Sequence, residues 1–307
     1  MFLIIEYYHT WVEISFFKSK KMNFEINKKI QQEYFFSYYS QKSRFQKLFN
    51  DDKSEIEICK YSDQFREIIE NNLHSNGILH YGGELENLHN YCDEENLKYD
   101  EYDINPIQKT LYSLTENNRE IYYEFISKCL KKFFPFDFYF QKEITFRVHI
   151  PPKKGSSHKS PFPSFHMDSC LGHPPNEINI WIPLTRLDSK EFHAFNITSV
   201  NRSKDLLKKF NYDPYAIDTF RKSNGKELNS FLNHYQVKTQ YGNALIFDAR
   251  CMHSAMPVIH HTRFSIDIRI IPLDDFKVLP YKFVGSGRMK MPWIPGYGYD
   301  LLDSSKL

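Results

Sequence analysis

No sign of charge dominates this chain. Forty Lys and Arg stand against 38 Asp and Glu over 307 residues, a formal net charge of +2. A balance this even excludes the broad basic field of a nucleic-acid binder and gives no reason to expect an anionic membrane surface as partner. The short runs at Lys18–Lys21, Lys131-Lys132 and Lys153-Lys154 are read as solvated surface. Cysteine is sparse: Cys59, Cys92, Cys129, Cys170 and Cys251 form no pairing pattern and no Cys-x-x-Cys, and the odd count fits reduced thiols in a cytosol. Met1–Ile5 is apolar, but Glu6 interrupts it, so it is too short for a signal peptide or a membrane span. Met22, after Lys20-Lys21 and ahead of a helical pattern, is an alternative start. Internal repeats and low-complexity blocks are missing. These absences lead to the expectation of a cytoplasmic globular protein; nothing in them speaks to oligomeric state.

Aromatic residues are plentiful, at 17% with 27 Phe and 21 Tyr, and abundant Asn, Lys and Ile accompany them. That combination reads as coding bias towards A/T-rich codons rather than as a stacking surface. Apolar residues recur at helical spacing over 24–49 (Ile26, Ile30, Tyr34, Tyr38, Phe45, Phe49) and over 62–74 (Phe65, Ile68, Ile69, Leu73). Residues 75–104 read as loop with short elements, and Asn105-Pro106 as an N-cap with proline in the first helical position. Thr115 opens a helix whose stripe runs through Ile121, Tyr122, Phe125, Ile126, Cys129, Leu130 and Phe133 until Pro135 ends it.

From residue 136 the period becomes two. Ile144, Phe146, Val148 and Ile150 alternate with Thr145, Arg147 and His149, as in a barrel strand with a functional interior. Residues 151–164 form a loop rich in Pro, Lys, Gly and Ser. Strands follow over 177–185, 235–248 and 262–271, with a helical insertion over 203–234 that Asp213-Pro214 helps to cap. Helices first and short strands later predict an α+β chain with a mainly β core: a double-stranded β-helix (jelly roll, cupin-like) behind an N-terminal helical layer. The expected organisation is a single catalytic domain over 1–307. It comprises mainly helical support over 1–135, the core with its insertion over 136–279, and a C-terminal tail or lid over 280–307.

Three residues within this frame have the character of metal ligands. His166-Met167-Asp168 supplies an imidazole and a carboxylate two positions apart, and two positions on an extended strand put both side chains on one face. His253, just after the apolar run Ala244–Phe247, supplies a second imidazole from a distant strand. Two histidines and one carboxylate leave the opposite face of an ion open, the arrangement with which non-haem Fe(II) activates oxygen. Arg263 then offers a fixed fork of donors for a carboxylate, and Ser265 a hydroxyl on the same strand face. Arg263, Ser265, Asp267 and Arg269 alternate with Phe264, Ile266, Ile268 and Ile270, and Asp267 with Arg269 is expected to form a structural ion pair. Arg147 and Asn179 are inward-facing candidates for contact with cosubstrate or substrate. His173 is a candidate for the substrate mouth, His158 is a spare histidine near the motifs, His260-His261 read as solvated, and Cys170 and Cys251 as packing residues.

The ordered set Phe165-His166-Met167-Asp168, Asn179–Thr185, Gly242–Asp248, His253 and Arg263-x-Ser265, spanning about residues 143–272, resembles the Fe(II)/2-oxoglutarate-dependent dioxygenases, most nearly their phytanoyl-CoA dioxygenase-like group. The resemblance implies Fe(II) on His166, Asp168 and His253, with 2-oxoglutarate and O2 as cosubstrates. It further implies Arg263 and Ser265 on the distal carboxylate of 2-oxoglutarate and Trp181 near the cosubstrate. The activity implied is oxidation, most often hydroxylation, of a small polar metabolite or natural-product intermediate, with succinate and carbon dioxide released. Related halogenases lack the carboxylate ligand, so Asp168 disfavours halogenation. Two alternatives stand beside this reading: a non-redox cupin-like metalloenzyme such as an isomerase or hydrolase, and a degenerate jelly-roll binding protein.

Overall fold

A computed structural model describes residues 20–98, 104–112, 114–151, 165–171, 173–187, 193–256, 258–279 and 298–302. His158, most of the loop over 151–164 and most of the tail over 280–307 lie outside the described residues. Among the described residues, ten strands build two antiparallel sheets: β1 (Lys53–Glu57), β2 (Phe138–Gln141), β3 (Thr145–His149), β4 (Ile178–Pro183), β5 (His193–Ile197), β6 (Tyr235–Thr239), β7 (Asn243–Asp248), β8 (His253–Ala255), β9 (Arg263–Pro272) and β10 (Tyr299–Leu302). The larger sheet runs β1-β7-β4-β9-β2-β10. Strand β9 is long enough to hold two neighbours on one side, β3 along Arg263–Asp267 and β2 along Ile270–Pro272. The smaller sheet runs β6-β5-β8, and a bridge between His166 and His253 extends it. Followed along the chain, β3 lies in the large sheet, His166 in the small, β4 in the large, β5 and β6 in the small, β7 in the large, β8 in the small and β9 in the large. A chain that crosses repeatedly between two antiparallel sheets in this way is a jelly roll, so the mainly β core of an α+β chain is as expected.

Alternation along the strands explains the layers. Ile178, Ile180 and Ile182 of β4 and Phe264, Ile266, Ile268 and Ile270 of β9 join one buried cluster with helical residues such as Phe65, Ile69, Ile107 and Phe125. The odd partners Trp181, Leu245 and Phe247 turn the other way, into a second cluster with Phe195 and Ile197 of the small sheet and Leu206, Ile217 and Leu228 of the insertion. Helices therefore cover the outer face of the large sheet, and the inner face looks toward the small one. The turn into β7 needs Gly242: its φ is +90°, and a Cβ there would lie 2.8 Å from Cys59 Sγ.

Several boundaries differ from the sequence-based expectations. The helical stretch over 24–49 is two helices, Lys20–Tyr39 and Arg44–Phe49, because Ser43 caps the second in a reciprocal box with Gln46. The helix expected from Thr115 begins at Leu114, breaks after Asn117 and passes through a π-helical stretch over Phe125–Leu130. The insertion starts at Val200, where Ser199 caps it, and contains three helices. Asn105 caps Pro106–Leu111 as expected, its side chain accepting from Gln108 N–H. The N-terminal support is not purely helical, since β1 adds an edge strand beside β7. From the tail, β10 adds the opposite edge beside β2. No helix among the described residues is long and apolar enough to cross a membrane.

Candidate metal centre and carboxylate anchor

Backbone pairing joins the two histidines. His166 N–H donates to His253 O at 3.0 Å and His253 N–H to His166 O at 2.9 Å, so the two residues are directly opposite and share a face. Asp168 reaches the same point differently from the strand geometry expected: it begins a 3-10 turn, Asp168–Leu171, rather than continuing a strand. That turn closes through Cys170 N–H to Met167 O, His173 N–H bonds Asp168 O, and the helix Pro214–Ser223 of the insertion packs against it.

Asp168 Oδ1 lies 3.5 Å from His166 Nε2 and 3.6 Å from His253 Nε2. The three donor atoms all fall within 4.8 Å of one another in buried surroundings, and the three side chains could hold a metal ion. Around one ion, donors bonded at about 2.1 Å stand roughly 3–3.5 Å apart, so the site needs only slight contraction. Each side chain is held from behind. His253 Nδ1 donates to Cys251 O at 3.1 Å, which leaves the Nε2 lone pair facing Asp168. Its ring stacks on Phe195 and meets Phe247 edge-on. Asp168 Oδ2 accepts from Asn179 Nδ2 and from Arg269 Nε, each at 3.0 Å. Only Oδ1 is thereby turned to the histidines.

Electrostatics favour the charge states a metal needs. Burial opposes ionisation of Asp168, but Arg269, the hydrogen bond with His166, and the histidines His253 and His173 outweigh it and hold the carboxyl well below its usual range. Burial, together with His166, pushes His253 down to about 4 against the pull of Asp168, so its imidazole is neutral at pH 7.

The second feature lies along β9. Arg263 is 2% exposed, and its Nε and Nη2 have no hydrogen-bond partner among the described residues. Its guanidinium carbon is 6.0 Å from the Trp181 ring, and His149 faces it across the β3–β9 pair. Burial lowers its pKa to about 10, Asp267 opposing, so at pH 7 it remains a buried cation with two unanswered donors. Ser265 is buried two residues on, along the same face.

Other sequence-based expectations fare unevenly. Asp267 pairs with Arg147 at 3.1 Å, and not with Arg269; Arg269 instead serves Asp168 at 3.0 Å and Glu177 at 3.5 Å. Arg147 is thus engaged, and its side chain is 43% exposed. Asn179 supports Asp168. Trp181 is buried against Phe195. His173 is buried against Glu177 rather than placed at an open mouth. His260 is exposed and His261 half-buried. Cys170 and Cys251 are packing residues of the second cluster, and none of the five cysteines is in a disulfide. The sequence reading gave no site role to Glu177, Gln141, Phe195 or Phe247; Phe247 entered it only within the apolar run, and it is the fold, not a sequence pattern, that brings Glu177 and Gln141 beside Arg269.

No family model matches the chain, and no curated protein matches it. Among solved structures it is similar to the non-haem α-ketoglutarate-dependent carbocyclase SnoK from nogalamycin biosynthesis, at 12% identity over 86% of this chain and 98% of that one, with a TM-score of 0.46. It is similar also to EctD from S. alaskensis with 2-oxoglutarate and 5-hydroxyectoine, at 11% identity over 82% of each chain, with a TM-score of 0.47. A third is the α-ketoglutarate-dependent epimerase SnoN, also from nogalamycin biosynthesis, at 10% identity over 72% of this chain and 79% of that one, with a TM-score of 0.41. Identities this low leave function to be argued from the site's own geometry.

Proposed function

We propose that this chain is an Fe(II)- and 2-oxoglutarate-dependent dioxygenase of the phytanoyl-CoA dioxygenase-like kind. It hydroxylates a small polar metabolite or natural-product intermediate in a reducing cytoplasm. One pairing supports the reading: a buried His166-Asp168-His253 donor set, and, on the large sheet beside Trp181, a buried Arg263 whose Nε and Nη2 lack an acceptor among the described residues. A metal-only reading explains the first and leaves the second without a purpose. A buried guanidinium costs stability unless an anion answers it, and a dicarboxylate cosubstrate answers it whenever bound.

The donor set suits Fe(II), with two imidazole nitrogens, one carboxylate oxygen and an open face. When bound, iron and 2-oxoglutarate supply oxygen activation coupled to oxidative decarboxylation to succinate and carbon dioxide. The chain's own part is to position and to shield. His166 and His253 present Nε2, and Asp168 presents Oδ1, fixed by Asn179 and Arg269. Arg263 and Ser265 bind the distal carboxylate, and Trp181 walls the space beside them. Phe195 and Phe247 exclude water from the flank of His253.

The test has two parts. His166→Ala and His253→Ala should each lose stoichiometric Fe(II) binding in anaerobic titration while remaining folded by circular dichroism; full occupancy in both would remove the triad from the metal site. Wild-type protein under air with Fe(II), ascorbate and 2-oxoglutarate should form succinate slowly even without its prime substrate. Metal binding with neither succinate nor 2-oxoglutarate binding would favour the non-redox metalloenzyme.

A further inference from the structure

Glu177 is fully buried one residue ahead of β4 and is not among the three candidate ligands. Three groups surround it. The Tyr299 hydroxyl, from the C-terminal strand β10, donates to Oε1. His173 Nδ1 lies 3.3 Å from Oε2. Arg269 Nε lies 3.5 Å from Oε2. The same Arg269 Nε donates to Asp168 Oδ2 at 3.0 Å, and Nη1 donates to Gln141 Oε1 at 3.2 Å. One guanidinium therefore stands between two buried carboxylates. Its single Nε–H goes to Asp168, and Glu177 acts on it through charge.

This arrangement has a consequence for any cation at Oδ1. An arginine facing Asp168 alone would draw electron density from the carboxylate that must donate to the metal. A second anion behind the arginine divides that pull. Glu177 also adds a negative charge close to a pocket that receives a dication, where low polarity makes charge count for more than in water. Both effects have the same sign.

We propose that Glu177 is a positioning residue for the metal centre: it shares Arg269 with Asp168 and so strengthens metal binding without touching the ion. This rests on the reading of His166, Asp168 and His253 as ligands. Glu177→Gln keeps the shape of the side chain, and its amide oxygen still accepts from Tyr299, while the charge is lost. Anaerobic titration with Fe(II), and with Co(II) followed by visible absorption, should give a dissociation constant about tenfold to a hundredfold weaker than wild type, the range seen for groups behind the ligands. The Co(II) bands should shift, and the melting temperature of the metal-free protein should stay close to wild type. Tyr299→Phe is the second variant. It frees Glu177 from a competing donor and leaves it to Arg269, so metal should bind at least as tightly as in wild type. A purely structural role would weaken binding in both variants. An unchanged dissociation constant with unshifted bands in Glu177→Gln, or weaker binding in Tyr299→Phe, overturns the role of Glu177 alone. Wild-type protein that binds neither metal overturns the triad reading, and this role with it.

Discussion

Arg263 carries its charge where burial opposes it, and the balance of costs makes a sharp prediction. Charged hydrogen bonds contribute roughly 1.5–3 kcal/mol each, so Arg263→Ala should weaken 2-oxoglutarate about tenfold to several hundredfold at saturating Fe(II), with iron binding retained. Arg263→Lys keeps the charge but not the planar fork and should also lose affinity. Isothermal titration decides it, and an unchanged constant would place the anchor elsewhere. Arg263→Met should leave the ligand-free protein at least as stable as wild type, because an unanswered buried cation is removed, while 2-oxoglutarate no longer raises its melting temperature. Arg263 was legible as a candidate because Arg263-x-Ser265 sits on the polar side of a strictly alternating strand. The partner of Arg269 was not. Four charged or polar residues share that face, and their partners depend on strand register: Asn179 lies opposite Arg269, and Trp181 and Thr145 lie opposite Asp267. A single sequence does not contain that register.

Between β7 and β8 the chain makes a tight turn that leads into His253, and this element is clamped from the N-terminal helices. Arg250 is fully buried. It bonds both oxygens of Asp248, at 2.9 and 2.8 Å, the carbonyls of Tyr38 and Gln41, and Gln46 Oε1. Tyr39 donates to Met167 Sδ at 3.2 Å, so the same helix end touches the segment between His166 and Asp168. Breaking a buried ion pair by removing one partner costs about 3–5 kcal/mol. Arg250→Met should therefore lower unfolding free energy by that order, measured by urea denaturation, and should weaken metal binding because Cys251 O no longer sits firmly behind His253. A loss below about 1 kcal/mol would show that the turn holds itself. The sequence showed the apolar run leading into this turn, but not the clamp, whose members lie some two hundred residues apart. It also missed β1, β5, β8 and β10. Strand β1 buries only Ile56 and β8 has three residues, too little of either for a period of two to register. Asp168 shows the converse: the two-residue offset pointed to a pair that the structure does bring to 3.5 Å, although a 3-10 turn and not a strand delivers the carboxylate.

At the scale of the whole molecule, two imidazoles, those of His253 and His149, are held neutral by their surroundings, and that ties stability to pH. Burial, with His166, holds His253 near 4 from an ordinary 6.5, and burial with Arg263 and Arg147 holds His149 well below its ordinary value. As pH falls below about 6.5 the unfolded chain binds these protons and the folded chain does not. Stability is therefore complete above that pH and is lost as pH falls towards the folded values. Each histidine adds a slope of up to about 1.4 kcal/mol per pH unit across the window. The metal-free protein should lose unfolding free energy between pH 6.5 and pH 4 with a slope approaching two protons. A His149→Phe variant should lose it with a slope about one proton smaller, and the difference isolates His149 from carboxylates that titrate in the same range. Bound metal competes for the His253 lone pair, so loaded protein should start higher and release its ion within the same window. Urea titrations at half-unit pH intervals, with and without Fe(II) under nitrogen, measure both slopes. Equal slopes for wild type and His149→Phe would mean that the His149 imidazole is protonated in the folded interior beside Arg263, against the cost of placing two cations together there.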